Sequence, residues 1–387
     1  MNAKPAFAEN STASAWHYRA ATTLSNGIVE ATVLPGGGHL AAWRFVGGDN
    51  TLFESPWLTA DPSTPAHASL AAQYGEPGVG EFLASFTGHA LCLDGFGPPS
   101  PADLDAGVAL HGEAPVATWD FSSPHSAFAN LPVAGLRVQR QFHLAEAESV
   151  LRVDERVTNL RATARDLHWV QHATVGTVGA RVTASVSDGL TWPLDYEHSN
   201  LLARDTKFEW PYAPGADGRR VDLREMLSHP HSGFVAAIRQ TPTQKHGFVA
   251  TCDAASRLAM GYIFLSEIFP WLTIWEENRA RPDAPWCGRV QARGIEFGTT
   301  PFPLGNEAVD AHGPVLGAAV SRRIGPHETL RAPWLLFLAT LPQGWTEIED
   351  ITLDADAIVL RQSGAQLRLA AKGALAFLDA GPKEPFA

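Results

Sequence analysis

The sequence predicts an all-β chain of antiparallel strands and tight turns, with few short helices. Two observations carry this. The 387 residues include 34 glycines and 28 prolines, and no long stretch repeats its apolar residues at helical spacing. Residues 135–160 alternate on both sides of a short acidic turn. Leu136, Val138, Phe142 and Leu144 are interleaved with Arg137, Gln139, Gln141 and His143; Leu151, Val153 and Val157 follow, interleaved with Arg152, Asp154, Arg156 and Thr158. Side chains on a strand point to opposite faces in turn, so this is the pattern of a half-buried antiparallel pair. With 45% hydrophobic residues the chain can bury a large core, and all-β units often run this long as one domain.

In chain order, residues 1–14 read as a loose N-terminal arm rich in Ala, Ser and Asn. Residues 15–387 are taken as one domain, since no repeat of fixed period and no long linker divides them. Ser25-Asn26-Gly27 is a turn signal between Ala21–Leu24 and Ile28–Leu34, which predicts a hairpin. Pro35-Gly36-Gly37-Gly38-His39 lacks the spacing of a phosphate-binding loop and reads as a turn before a strand at Leu40–Val46. Residues 55–80 read as a long loop with short helical pieces, and Gly88–Pro101 as a further loop crowded with Gly and Pro. Strands are predicted at His168–Val175, Phe234–Ile238, Gly247–Cys252, Ala259–Leu265, Trp271–Trp275, Arg289–Phe297, Ala332–Ala339 and Gln366–Ala371, with a helical turn at Asp222–Leu227.

The 29 Lys and Arg against 41 Asp and Glu leave a net charge of −12 without a basic run, which argues against nucleic acid and anionic membranes as partners. Cys92, Cys252 and Cys287 are far apart with no paired spacing, and read as buried free thiols in a reducing compartment. The N-terminus lacks a continuous apolar run and no segment reaches membrane-spanning length, so the expectation is a soluble cytoplasmic protein.

Several side chains could carry chemistry. Glu296 lies between Gly294 and Gly298 at a strand end, open enough for a general base, though solvated glutamates are common there. His111 next to Gly112 could open its ring to a pocket or be an ordinary turn histidine. His172 shares a strand face with His168, Val170 and Thr174; at strand rise the two histidines are about 13 Å apart and cannot both ligate one metal directly. Glu276 and Glu277 close the strand that begins at Trp271, and one of them points inward if that strand is buried on both sides. His229 and His231 lack an evident third ligand.

Taken in order, LSNGIVEATVLPGGGHLAAW, HGEAPVATW, RVTNLRATARDLHWVQHATVG, LTIWEENR and RGIEFGTTPFP resemble the galactose mutarotase (aldose 1-epimerase) superfamily, over Thr22 to Leu341. The resemblance implies a large antiparallel β-sandwich of the galactose mutarotase-like type, with a sugar-sized cleft on one sheet. It implies Glu296 as general base, His172 as general acid and His111 as a substrate-binding histidine, facing each other across a sugar ring, with no metal or other cofactor. Glu113, Glu277, Arg279 and Trp275 would bind substrate beside them, and Trp57, Trp119, Trp169 and Trp286 could add an apolar platform.

The chain departs from the family pattern in two places. Glu113-Ala114-Pro115 follows the His-Gly pair where an arginine is usual, and no substrate-binding Asp falls around His229–Phe234. The implied protein is a divergent member, acting on a substituted or acidic sugar or doing something other than mutarotation. The expected partner is a small carbohydrate, and the expected assembly a monomer or homodimer. A lyase or hydrolase acting on an oligosaccharide, and a non-catalytic carbohydrate-binding protein, are the alternatives on the same scaffold.

Overall fold

The computed structural model describes residues 11–177, 179–191 and 201–380. Among them, a 13-stranded and an 8-stranded antiparallel sheet enclose the main core, and a three-stranded sheet near the C-terminus packs behind the smaller one. The all-β expectation therefore holds. Side by side in the middle of the larger sheet run His89–Leu93, Trp169–Val175, Gln291–Gly298, Trp271–Asn278 and His231–Gln240. The alternating pair of residues 136–159 lies in the smaller sheet, with Leu136 opposite Asn159 and Leu144 opposite Leu151.

Period two assigns the faces. On the inner face of the larger sheet Leu91, Leu93, Trp169, Ala173, Leu272, Ile274, Ile295 and Phe297 join the core shared with Val138, Phe142, Val153 and Trp334 of the smaller sheet. The outer face is left to Ala90, His172, Thr174, Thr273, Trp275, Gly294 and Glu296, which are neighbours in register. The helix Pro65–Tyr74 packs against the helix Val79–Leu83, which folds back over this outer face, so the face's side chains are buried as well. Thr64 caps the first helix, accepting from the His67 backbone N–H, and Pro65 stands in its first turn.

A polar network crosses the core between the sheets. Glu155 Oε1 accepts from Trp169 Nε1 and Gln171 Nε2, each at 2.5 Å, while its other oxygen accepts from Arg140 Nε. Arg140 also donates to the Gly38 carbonyl at 2.9 Å and to Gln171 Oε1 at 3.3 Å. Because Gln171 Oε1 is an acceptor, His89 Nε2–H donates to it at 2.9 Å, which leaves His89 Nδ1 to accept the Tyr262 hydroxyl at 3.1 Å. Burial, reinforced by the Arg140 charge, keeps His89 well below the usual histidine range and hence neutral.

Several expectations are corrected. Residues 11–14, expected in a loose arm, belong to the strand Ser11–Trp16, paired with Arg19–Ser25; residues 1–10 lie outside the described residues. Gly88–Pro101 is not a loop throughout: His89–Leu93 is a central strand whose residues are all buried, and covering on both faces erases the alternation that would have marked it. Asp222–Leu227 is not a helical segment: Asp222 ends the short strand Arg220–Asp222, and a single turn follows, closed by Glu225 N–H donating to the Asp222 carbonyl at 3.4 Å. Cys92 and Cys252 are buried free thiols, but Cys287 is exposed. No helix among the described residues is long and apolar enough to cross a membrane.

Candidate active site

His111, His172 and Glu296 come from three separate parts of the chain and line one cavity. His172 and Glu296 stand on adjacent strands of the outer face, and His172 Nε2 lies 3.3 Å from Glu296 Oε1. Glu296 Oε2 accepts from the Thr273 hydroxyl at 3.1 Å, whereas Oε1 has no hydrogen-bond partner among the described residues. On the other side of His172, Nδ1 is 3.2 Å from the Thr174 hydroxyl.

Gly294 decides where the Glu296 carboxylate sits. A Cβ at position 294 would fall 2.3 Å from Glu296 Oε1, so the carboxylate folds back over the space a side chain would take. The obstruction is the tip of a flexible side chain, and Gly294 has ordinary strand geometry. Gly294→Ala should therefore cost little stability but displace the carboxylate. Since misplacement by about 1 Å can cost about 10²-fold in rate, we expect a loss of that order in turnover with an unchanged melting temperature. Wild-type turnover in the alanine variant would show that the carboxylate position is not critical.

His111 is held by its own turn. Its backbone adopts φ +70, and Gly112 follows at φ +91, where a Cβ would meet the Leu93 carbonyl at 2.5 Å. The strained histidine is fixed by a reciprocal pair of bonds: its N–H donates to the Gly97 carbonyl at 3.1 Å, and Gly97 N–H donates to its Nδ1 at 3.2 Å. With Nδ1 accepting, the neutral ring carries its proton on Nε2. The His111 and His172 rings meet edge to face with centroids 4.8 Å apart.

Burial sets the protonation of the group. Desolvation lowers His172 to about 4 and lowers His111 well below the usual range, with the neighbouring His172 adding to the latter. Desolvation raises Glu296 to about 8, against the opposing hydrogen bond from Thr273. At neutral pH the contact pair therefore holds one proton, and burial favours its placement on the carboxyl.

No family model and no curated protein matches the sequence. Solved structures do. A provisionally assigned aldose 1-epimerase from Klebsiella pneumoniae superposes with a TM-score of 0.59 at 17% identity, covering 82% of this chain and 79% of its own. A galactose mutarotase-like protein from Clostridium acetobutylicum gives 0.53 at 14% identity, with 86% and 98% covered. A provisionally assigned aldose 1-epimerase from Escherichia coli K12 gives 0.53 at 15% identity, with 82% and 98% covered. The chain has the galactose mutarotase-like fold. At these identities it is a divergent example.

Within the galactose mutarotase-like scaffold, Trp275 lines the cavity as expected, but three other expected residues do not. Glu113 is held by the 133–134 turn, accepting the backbone N–H groups of Val133 at 3.2 Å and Ala134 at 2.7 Å. Glu277 caps the next turn, accepting from Ala280 N–H at 2.7 Å and Arg281 N–H at 3.2 Å. Arg279 is exposed and donates to Gln291 Oε1 at 2.7 Å. In each case a nearby polar group of the protein has taken the side chain that a substrate was expected to take.

The cation at the cavity is instead Arg281, two residues further on, whose Nε is 3.5 Å from Glu277 Oε2 and whose guanidinium lies 5.1 Å from the Trp286 ring centre. Glu276 is buried in a different cluster, accepting from His231 Nε2 at 2.7 Å and paired with Arg293 Nε at 2.9 Å. Both glutamates of the pair are thus inside, on opposite faces. Of the tryptophans, Trp286 lines the cavity and Trp57 packs against it at 4.8 Å, while Trp119 and Trp169 are core.

Proposed function

We propose that the protein interconverts the anomers of an aldose, with Glu296 and His172 as the acid–base pair and His111 orienting a ring hydroxyl through its Nε2–H. The observation that carries this reading is the 3.3 Å contact between His172 Nε2 and Glu296 Oε1 inside the cavity. Opening a hemiacetal requires one group to take the anomeric hydroxyl proton while another protonates the ring oxygen. These two oxygens are bonded to the same carbon. Acid and base must therefore converge on that carbon, and their closeness here suits the task better than a placement across the ring.

A pair holding one proton supplies one acid and one base in either arrangement. With the proton on Glu296, the carboxyl donates to the ring oxygen and His172 accepts from the anomeric hydroxyl. Transfer of the proton across the contact gives the arrangement expected from the family, with Glu296 as base and His172 as acid. Rotation about the C1–C2 bond and reclosure by the reverse steps deliver the other anomer and restore the starting pair.

The pH dependence follows. Below about pH 4 both groups are protonated and no base remains; above about pH 8 Glu296 has lost its proton and no acid remains. The kcat/KM profile should be bell-shaped with limbs near those values, each belonging to the coupled pair. Polarimetry or NMR anomer exchange over a panel of aldoses tests the reading directly. Acceleration above the uncatalysed rate with that profile supports it, and no acceleration with any aldose removes it.

A further inference from the structure

The cavity offers its ligand few hydrogen-bonding groups for its size. A connected set of aromatic rings forms the wall beside the histidines, with Phe53 and Trp57 standing behind the lining residues. Phe82 lies 4.8 Å from Phe86, Phe86 5.7 Å from Phe53, and Phe53 5.9 Å from Trp57; Trp57 is 4.8 Å from Trp286, and Trp286 5.9 Å from Trp275. Phe82 also meets the His111 ring at 4.9 Å and the His172 ring at 6.1 Å.

The hydrogen-bonding side chains lining the cavity are His111, His172, Glu296 and Arg281, with the indole N–H groups of Trp275 and Trp286 at its edge. The first three are engaged by the anomeric carbon and one hydroxyl beside it. Arg281 adds a single guanidinium, with its Nε 3.5 Å from Glu277 Oε2. Backbone groups add little: Gly97 spends both its N–H and its carbonyl on His111, and Pro98 and Pro303 have no N–H to donate.

An ordinary hexose carries a hydroxyl or hydroxymethyl group on every ring carbon away from the anomeric centre. Pressed against phenyl and indole without a partner, each such hydroxyl loses its water and gains nothing in exchange. Methyl and C–H groups meet the same walls favourably. We infer that the cavity selects an aldose whose positions away from the anomeric carbon are deoxygenated or capped by small apolar groups. The inference rests on the anomer-exchange reading above.

The test compares matched sugars by NMR exchange spectroscopy: D-glucose with 6-deoxy-D-glucose and 3-O-methyl-D-glucose, and D-galactose with its 6-deoxy and 2,6-dideoxy forms. An apolar pocket discriminates against an added hydroxyl by about 10²-fold at most, so the deoxy or O-methyl member of each pair should be favoured about ten- to hundredfold in kcat/KM. Equal or reversed preference overturns the selectivity and leaves the acid–base reading intact. Binding of the same pairs, followed by saturation-transfer NMR, separates the two claims when no sugar is turned over. Tighter binding of the deoxy and O-methyl sugars then supports the selectivity by itself. Parent sugars bound as tightly, or neither member bound, overturn it.

Discussion

Glu296→Gln should lower anomer-exchange kcat by about 10²- to 10⁴-fold, the usual share of one general acid–base group. The amide matches the carboxyl in shape and can keep its contact with Thr273, which now lies 3.1 Å from Oε2. It cannot, however, give up and take back a proton as the proposed acid–base step requires. Because the carboxyl is buried, and burial raises Glu296 to about 8, removing its ionisation should not destabilise the fold. The measurement is exchange rate beside melting temperature. A rate within a few-fold of wild type would exclude Glu296 from the proton transfers; a collapsed melting temperature would make it a structural residue.

Glu155→Gln is expected to act on stability, by about 3–5 kcal/mol, the cost of leaving one member of a buried ion pair unpaired. Arg140 is buried between the sheets with Glu155 as its carboxylate partner, and the same carboxylate accepts from Trp169 and Gln171. The amide nitrogen of the variant would face donors with another donor. Urea unfolding should show a lower midpoint at nearly constant slope. A loss below about 1 kcal/mol would mean that the network rearranges around the change.

How far the sequence could be read depended on what covers each strand. Residues 136–159 alternate because one face of that pair meets the core and the other is polar, so strands and register were both legible. His89–Leu93, buried on both faces, had no such pattern and was hidden among glycines and prolines. The helices at 65–74 and 79–83 were legible only as short helical pieces of a loop.

The site divides in the same way. His111, His172 and Glu296 could be picked out through the order of short motifs, and they line one cavity. The expected Glu113, Glu277 and Arg279 failed for a common reason: position along the chain does not reveal which polar side chains the surrounding backbone will claim. Arg281, Phe82, Phe86 and Phe96 were missed because loops and short helices bring them in, and no strand period governs their direction. The nearest signal was Phe82 and Phe86, four apart, as they would be on one side of a helical turn.

The strand Trp169–Val175 has a consequence for how such a protein can change. Its odd-numbered residues Trp169, Gln171 and Ala173 belong to the core and its polar network, while His172 lines the cavity with Thr174 beside it on the same face. Neighbouring residues on one strand thus answer to different demands, the first set to the cell's supply of folded protein and the second to what that protein acts on. A lineage can revise its chemistry at alternate positions without renegotiating the foundation beneath them. On this scaffold, divergence of activity and persistence of architecture need not compete for the same residues.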